Sequence, residues 1–379
     1  MTDAALNSGS LVDRDQAKWE KKLEPNKVEL LAHAAKKTGR NPISLGLEAM
    51  KLKRGRQKIQ LDEYIKFGLY DQARHTQQER DEFISFMLHN ACIQTCNDVW
   101  WFGVTEDKWL SSVTLAADGI PTPEVVMVID KTDRSYHGTQ AVANADMLRA
   151  RLQDMEFPLF GKDNRGLMSV GVWIMDGADD THVHLREQGP ITYQAFLDQV
   201  IGDEAFIVQK FVHNHEFLQR FSSSAATIRM VNMWSDEGLY IPAAVLKLPS
   251  ASNLADNFWR PGNLVCNIDP KTGEVLTIVG AEGPELVNYD AHPETGDALI
   301  GEVLPHWEAL LEVNERVARL HKPLKYQSTD MAITDDGPVV VEVNAGSSFS
   351  LPQYASGKGF MTPKVRSLFR QWGCDFIWA

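Results

Sequence analysis

Ser328-Thr329-Asp330-Met331-Ala332-Ile333-Thr334-Asp335-Asp336-Gly337-Pro338-Val339-Val340-Val341-Glu342-Val343-Asn344 is the stretch from which the rest of the chain is read. Two short apolar runs flank a polar turn, the pattern of a β-hairpin. A three-residue loop, Asp335-Asp336-Gly337, puts Gly337 at the left-handed position such loops need. Thr334 then pairs with Pro338, and counting back along the ladder sets Asp330 opposite Glu342. Residues two apart share a face, so Asn344 joins them. Aspartate and asparagine are disfavoured inside strands, yet here they sit among valine and isoleucine. The plainer alternative is an exposed strand face with ordinary polar residues. Two carboxylates this close repel unless a cation lies between them. A few hard oxygen ligands suit magnesium that completes its shell with water and phosphate.

Upstream, single cations stand on apolar runs. Phe157-Pro158-Leu159-Phe160-Gly161-Lys162 ends a strand on a lysine, and a small loop containing Gly166 follows. Such a lysine can hold a phosphate, with loop N–H groups adding donors; alone, a lysine at a strand end is commonplace. Thr227-Ile228-Arg229 and Ala243-Ala244-Val245-Leu246-Lys247 each place one cation on an apolar strand. A cation facing a core must meet an anion, either a substrate group or a structural carboxylate. Phe206-Ile207-Val208-Gln209-Lys210-Phe211-Val212 is an apolar strand that runs into the polar segment His213 to Glu216. Asp256-Asn257-Phe258-Trp259-Arg260-Pro261-Gly262 is a polar loop, a lid candidate with Arg260 at its tip.

The 379 residues are 44% hydrophobic, enough for two or three subdomains with real cores. No run of about 18 apolar residues occurs, which argues against a membrane span. The polar start, Met1 to Ser10, lacks the apolar core of a secretory signal. Cys92, Cys96, Cys266 and Cys374 are too scattered for a disulfide framework and fit a reducing cytoplasm. Cys92 and Cys96 share a helix face and read as small buried hydrophobes. The net charge is −13, but residues 1–89 carry 16 basic and 13 acidic side chains, and the remainder carries −16. So acidic a body argues against nucleic acid as the main partner. The run Lys51, Lys53, Arg54, Arg56 and Lys58 reads as a solvated helix face.

Residues 1–15 read as a flexible tail. From about Asp15 to His89 the pattern is helical, without a chemistry-bearing motif. A helix over Leu110–Ala117 follows Asp107-Lys108-Trp109. Strands are expected at Glu124–Ile129, Phe157–Lys162, Ser169–Met175, Ala205–Val212, Thr227–Trp234 and Tyr240–Leu248. Helices are expected at Ala141–Met155 and within Leu299–Leu320. Helices mixed with local hairpins indicate an α+β architecture.

Taken in this order and spacing, the pieces resemble the ATP-grasp superfamily. They are Asp107-Lys108, Lys162 with its small loop, the Gln209–Val212 hinge, Arg229, Lys247, and Asp330 followed by Glu342 and Asn344. More narrowly, the chain resembles the sugar-transfer-associated ATP-grasp group, related to glutamate ligases. Asp62-Glu63-Tyr64, Gly68-Leu69, Asp256-Asn257-Phe258, His292-Pro293-Glu294-Thr295-Gly296 and Pro305-His306-Trp307 support that narrower likeness. The resemblance implies two α+β subdomains clamping ATP, residues 96–204 and 205–379, behind a mainly helical N-terminal region, residues 1–95. It implies that Lys108 and Lys162 contact phosphates, and that Gln209, Lys210 and Val212 frame adenine. Glu216 would hold ribose. Arg229, Lys247 and Arg260 would act in catalysis, and Asp330, Glu342 and Asn344 would bind Mg2+. Two features depart from the pattern: Gln209-Lys210 replaces a common glutamate, and Asp163 follows the lysine where proline is usual. The implied activity is a ligase joining a carboxylate and an amine through an acyl phosphate, on an amino acid or a sugar acid. A kinase acting on a sugar or polyol hydroxyl and a non-catalytic ATP-binding module are the alternatives. Relatives that self-associate make a homo-oligomer one further expectation.

Overall fold

The structure is a computed structural model and describes residues 9–22, 26–166 and 168–377. Runs of β-branched and apolar residues, cut by Gly, Pro and Asp, form two seven-stranded sheets. The first holds β1 (Val125–Ile129), β2 (Ala141–Val142), β3 (Leu159–Asp163), β4 (Trp173–Ala178), β5 (His182–Leu185), β6 (Gly189–Thr192) and β7 (Phe206–Lys210). Their spatial order is β2-β1-β7-β3-β4-β5-β6. The second holds β8 (Thr227–Ser235), β9 (Gly238–Leu248), β10 (Leu264–Ile268), β11 (Ile278–Glu282), β12 (Glu285–Tyr289), β13 (Tyr326–Thr334) and β14 (Gly337–Asn344). Their order is β12-β11-β10-β9-β8-β13-β14. Apart from the parallel β1–β2 pair, the strands run antiparallel.

Alternation decides which face of the second sheet is dry. Ile228, Met230, Ala244, Leu246, Met331, Ile333, Val340 and Val343 point one way and pack with Leu310, Val313 and Val317 of the Trp307–Leu320 helix. Each fully buried Val, Leu or Ile contributes roughly 1.5–3 kcal/mol. The interleaved residues Arg229, Lys247, Asp330, Glu342 and Asn344 therefore share the opposite face. In the first sheet Gly161 pairs with Trp173 across β3 and β4. A Cβ at Gly161 would lie 2.0 Å from the indole, so only glycine admits that ring.

The N-terminal helices Lys27–Thr38, Pro42–Arg54 and Leu61–Lys66 enclose a small core around Tyr64, Phe67 and Phe83. They dock on the second sheet through Glu285 of β12, which accepts hydrogen bonds from Lys37 and Tyr70 and pairs with His33 at 2.9 Å.

Several boundaries differ from the sequence reading. The expected tail is helical from Leu11 to Lys22, because Leu11 and Val12 pack onto the first sheet's core; residues 1–8 lie outside the described part. The expected strand Ser169–Met175 begins only at Trp173, since residues 168–172 form a loop with Met168, Ser169 and Gly171 at positive φ. The expected helix from Ala141 starts at Ala145, capped by Asn144, and Ala141–Val142 joins the sheet edge instead. The helical pattern expected up to His89 ends as a helix over Gln77–Glu82, a short 3-10 turn and a new helix, His89–Cys96. Cys92 and Cys96 are buried on that last helix.

Candidate active site

The hairpin that carries Asp330 and Glu342 is tighter than expected. Thr334 pairs with Gly337 and Ile333 with Pro338 around a two-residue turn, Asp335-Asp336. The predicted three-residue loop and Thr334–Pro338 pair are therefore wrong by one residue. Asp330 still faces Glu342, because the register jumps between Met331–Val340 and Asp330–Glu342 and leaves Val341 bulged. The bulge restores what the shorter turn takes away. It also explains how Val340 and Val343, three apart, both reach the core.

Asp330 is the cross-strand neighbour of Arg229 on β8. It accepts hydrogen bonds from Arg229 Nε at 2.7 Å and Nη2 at 2.6 Å. Lys247 on β9 pairs in register with Thr227, two residues from Arg229. Its ammonium lies 3.0 Å from Asp330 and 3.1 Å from Asp256. Asp256 also accepts the Thr227 hydroxyl. Burial on its own would raise the pKa of Asp330; Arg229 and Lys247 more than offset it and hold the carboxyl well below the usual range. Burial opposes the charge on Arg229, and Asp330 overcomes that and raises its pKa above the ordinary value.

Two further cations reach this face from outside the second sheet. Lys162 on β3 donates to the carbonyl of the bulged Val341 at 3.1 Å. Burial pushes the Lys162 pKa down to about 8; Glu342 works against that shift and Lys108 adds to it. Lys108 opens the Lys108–Ala117 helix, donates to Gly166 O in the small loop and stands 3.6 Å from Glu342. Asn164 fixes that helix start: its carbonyl accepts from Lys108 N at 3.0 Å and its Oδ1 from Trp109 N at 2.8 Å. Lys108, Lys162, Arg229 and Lys247 thus face Asp256, Asp330 and Glu342. This is a local positive excess in a chain of net charge −13, and it suits a polyanion such as a triphosphate.

The donors fit a hard cation that shares its shell with such a polyanion. Asp330 Oδ1 accepts one hydrogen bond and keeps a lone pair. Glu342 is 29% exposed, and its 3.6 Å approach to Lys108 is too long for a hydrogen bond. Asn344 follows on the same face with its Nδ2 unpartnered. Among the described residues no three His, Cys, Asp or Glu side chains could hold a metal ion. An ion here would draw on the Asn344 amide oxygen, water and phosphate, as magnesium does.

A family model described as sugar-transfer associated ATP-grasp matches residues 88–367, well over half of the chain. The chain belongs to that ATP-grasp family. Among solved structures it is similar to the D-alanine–D-alanine ligase of Bacillus anthracis, with 18% identity over 73% of this chain and 69% of that one, at a TM-score of 0.41. It is also similar to N5-carboxyaminoimidazole ribonucleotide synthetase of Thermotoga maritima, with 12% identity over 76% and 56% of the two chains, at 0.38. The L-amino acid ligase of Bacillus licheniformis shares 12% identity over 71% and 48%, also at a TM-score of 0.38. No curated protein matches.

In this ATP-grasp chain the segment from β7 to β8 crosses between the sheets. Gln209 is buried and donates to Pro123 O at 3.3 Å. Lys210 is exposed and pairs with Glu124 at 2.8 Å. Val212 is half-buried, and His215 N donates to Ile333 O at 2.7 Å. Glu216, exposed, starts a short helix whose first N–H donates to Asp335 at 2.9 Å. The crossing is thereby pinned to the hairpin turn.

Arg260 is not in contact with the Asp330 cluster. Its Nη2 donates to Ser169 O at 2.9 Å and to Asp15 at 3.2 Å, and its guanidinium lies 4.8 Å from the centre of the Trp259 ring. Trp259 donates to Met168 O and Asn257 to Ser169 Oγ, so the 256–261 loop lies against the small loop. Asp15 also accepts Gly171 N at 3.2 Å. Sequence reasoning missed Asp15, although Leu11-Val12 followed by acidic and basic residues was a visible helix signal. It missed Asn164 as well, for which no local signal existed.

Proposed function

We propose that this protein is an ATP-dependent carboxylate–amine ligase. The observation that carries the reading is the largely buried cluster in which four cations surround the Asp330–Glu342 pair. Lys108 and Lys162 contact the nucleotide's phosphates, the backbone of Gln209, Lys210 and Val212 frames the adenine, and Glu216 holds the ribose. Magnesium held by Asp330, Glu342 and Asn344 would neutralise phosphate charge there. A substrate carboxylate attacks the γ-phosphorus, the bond to ADP breaks, and an acyl phosphate forms. An amine then attacks the acyl carbon, and phosphate leaves with the amine's proton. Arg229 and Lys247, already oriented by Asp330, stabilise the charge on the transferring group without reorganising at the moment of reaction. Arg260 acts from the loop that covers the small loop.

Removing one such electrostatic group costs about 2.7–4 kcal/mol of barrier, a rate loss of roughly a hundred- to a thousandfold. Glu342→Gln is therefore expected to cut ADP formation at least a hundredfold at unchanged thermal stability. The wild-type assay screens amino acids and sugar acids for ADP and inorganic phosphate released together. Wild-type turnover in Glu342→Gln refutes the assignment. The family's description supports a sugar or sugar acid as one substrate, and with it a kinase as second reading. ADP formed from a sugar without inorganic phosphate selects the kinase, and saturable ATP binding without any ADP selects a binding module.

A further inference from the structure

His89 begins the His89–Cys96 helix, and its ring nitrogen Nε2 is buried without a hydrogen-bond partner. Phe86 stacks on it at 5.6 Å and Phe349 meets it edge-on at 5.6 Å, so the ring has little freedom. Its Nδ1 stands 3.3 Å from Asn90 Oδ1. With Asn90 Oδ1 as acceptor the proton is assigned to Nδ1, and Nε2 is then a bare lone pair. Burial pushes the pKa down to about 4 against the opposing hydrogen bond to Asn90, with Arg229 adding a smaller downward effect, so the ring is neutral at pH 7.

Nε2 lies against the turn that leaves β14, two residues beyond Asn344. A Cβ at Gly346 would stand 3.1 Å from it and 2.5 Å from Ile93 Cγ2, and Gly346 has φ +139. The turn is held from behind. Ser328 Oγ donates to Gly346 O at 2.9 Å, Tyr326 Oη to Ser347 O at 2.7 Å, and Asn97 Nδ2 to Ala345 O at 3.3 Å. Ser347 Oγ on this turn and Asn344 Nδ2 at the end of β14 are also buried without partners. An unanswered buried polar group costs about 1–3 kcal/mol; His89 Nε2 shares that state with one group at the end of β14 and one on the turn after it, and a ligand would supply their partners. A bare lone pair repels carboxylate and phosphate oxygens and asks for a donor.

We propose that His89 Nε2 accepts a hydrogen bond from the N–H of the attacking amine and orients its lone pair toward the acyl carbon. This rests on the ligase reading. In that step the C–N bond forms, the C–O bond to phosphate breaks, and the amine's proton departs on phosphate; His89 aligns the amine and is unchanged.

The test separates the two substrates. Hydroxylamine, small and strongly nucleophilic, traps an acyl phosphate as a hydroxamate without needing an oriented amine. Wild type, His89→Phe and His89→Gln are assayed with ATP and the carboxylate found in the screen, once with hydroxylamine and once with amino-acid amines. Phenylalanine keeps the ring contacts and removes the acceptor; glutamine returns an acceptor oxygen. The expected result is hydroxamate formation within about twofold of wild type in both variants. Amide formation is expected to fall about tenfold in His89→Phe, the worth of one hydrogen bond, and to recover in His89→Gln. In histidine-labelled protein the Nε2 nitrogen resonance of His89 shifts when the amine is added with a non-hydrolysable ATP analogue. Equal losses in both reactions, or an unmoved resonance, overturn the proposal. Absence of hydroxamate in wild type instead overturns the ligase reading beneath it.

Discussion

Lys162 offers a measurement that needs no knowledge of the substrates. Its ammonium is buried and its pKa is pushed down to about 8, first by burial, with Lys108 adding to the shift and Glu342 opposing it. Polyphosphate oxygens beside it would favour the charged form and return the pKa toward the ordinary lysine value of about 10.4. Nucleotide binding must then take up protons in a pH-dependent amount. With those two values the uptake is about 0.1 proton at pH 7 and about 0.75 at pH 8.5. Calorimetry with a non-hydrolysable ATP analogue, in two buffers of different ionisation enthalpy, reads this number directly. Lys162→Met should remove most of the uptake and weaken binding. The sign for stability follows from the same shift. Below the folded pKa the burial cost of the charge is fully present, so stability rises with pH from about 8 to about 10.4. An uptake that is flat between pH 7 and 8.5, or equally large in Lys162→Met, refutes the placement of phosphate at this lysine.

Asp330→Asn leaves the paired Arg229 and Lys247 cations short of a carboxylate, and breaking such a buried network costs about 3–5 kcal/mol; chemical denaturation checks it. Because the folded pKa of Asp330 is depressed, its contribution is complete above the unfolded value of about 3.9 and is lost as pH falls below it, which an acid titration of wild type against Asp330→Asn detects. Gly161→Ala should cost about 1–3 kcal/mol by forcing Trp173 from its seat, visible as a lower denaturation midpoint and altered indole fluorescence. Glu342→Gln, by contrast, should leave the midpoint unchanged while ADP formation falls by at least a hundredfold, since its carboxylate is partly exposed and only loosely paired.

The local alphabet of the chain made much of the second sheet legible. Period-two alternation in Thr227–Ser235, Gly238–Leu248 and Tyr326–Thr334 separates apolar positions from the interleaved cations and Asp330. It failed where backbone conformation breaks the period. Met168 and Ser169 adopt positive φ, so a run that reads as strand becomes a loop. Val341 bulges, and the hairpin count that reached Asp330–Glu342 did so because two one-residue errors cancelled. Strands β5, β6, β10, β11 and β12 were not read at all, being short and held by neighbours rather than by their own composition.

By itself the sequence determined which residues alternate, where cations interrupt apolar strands, and the order of elements that marks an ATP-grasp chain. These are local properties, carried by side-chain volume, branching and the two-residue repeat. Only the tertiary structure decided that Arg229 and Lys247 converge on Asp330, that Lys162 reaches the bulged carbonyl of Val341, and that His89 lies against Gly346. Each of those contacts joins residues from 83 to 257 positions apart in the chain. Strand register and helix docking, set by burial summed over the whole chain, fix such distances, and no short window of sequence contains that sum.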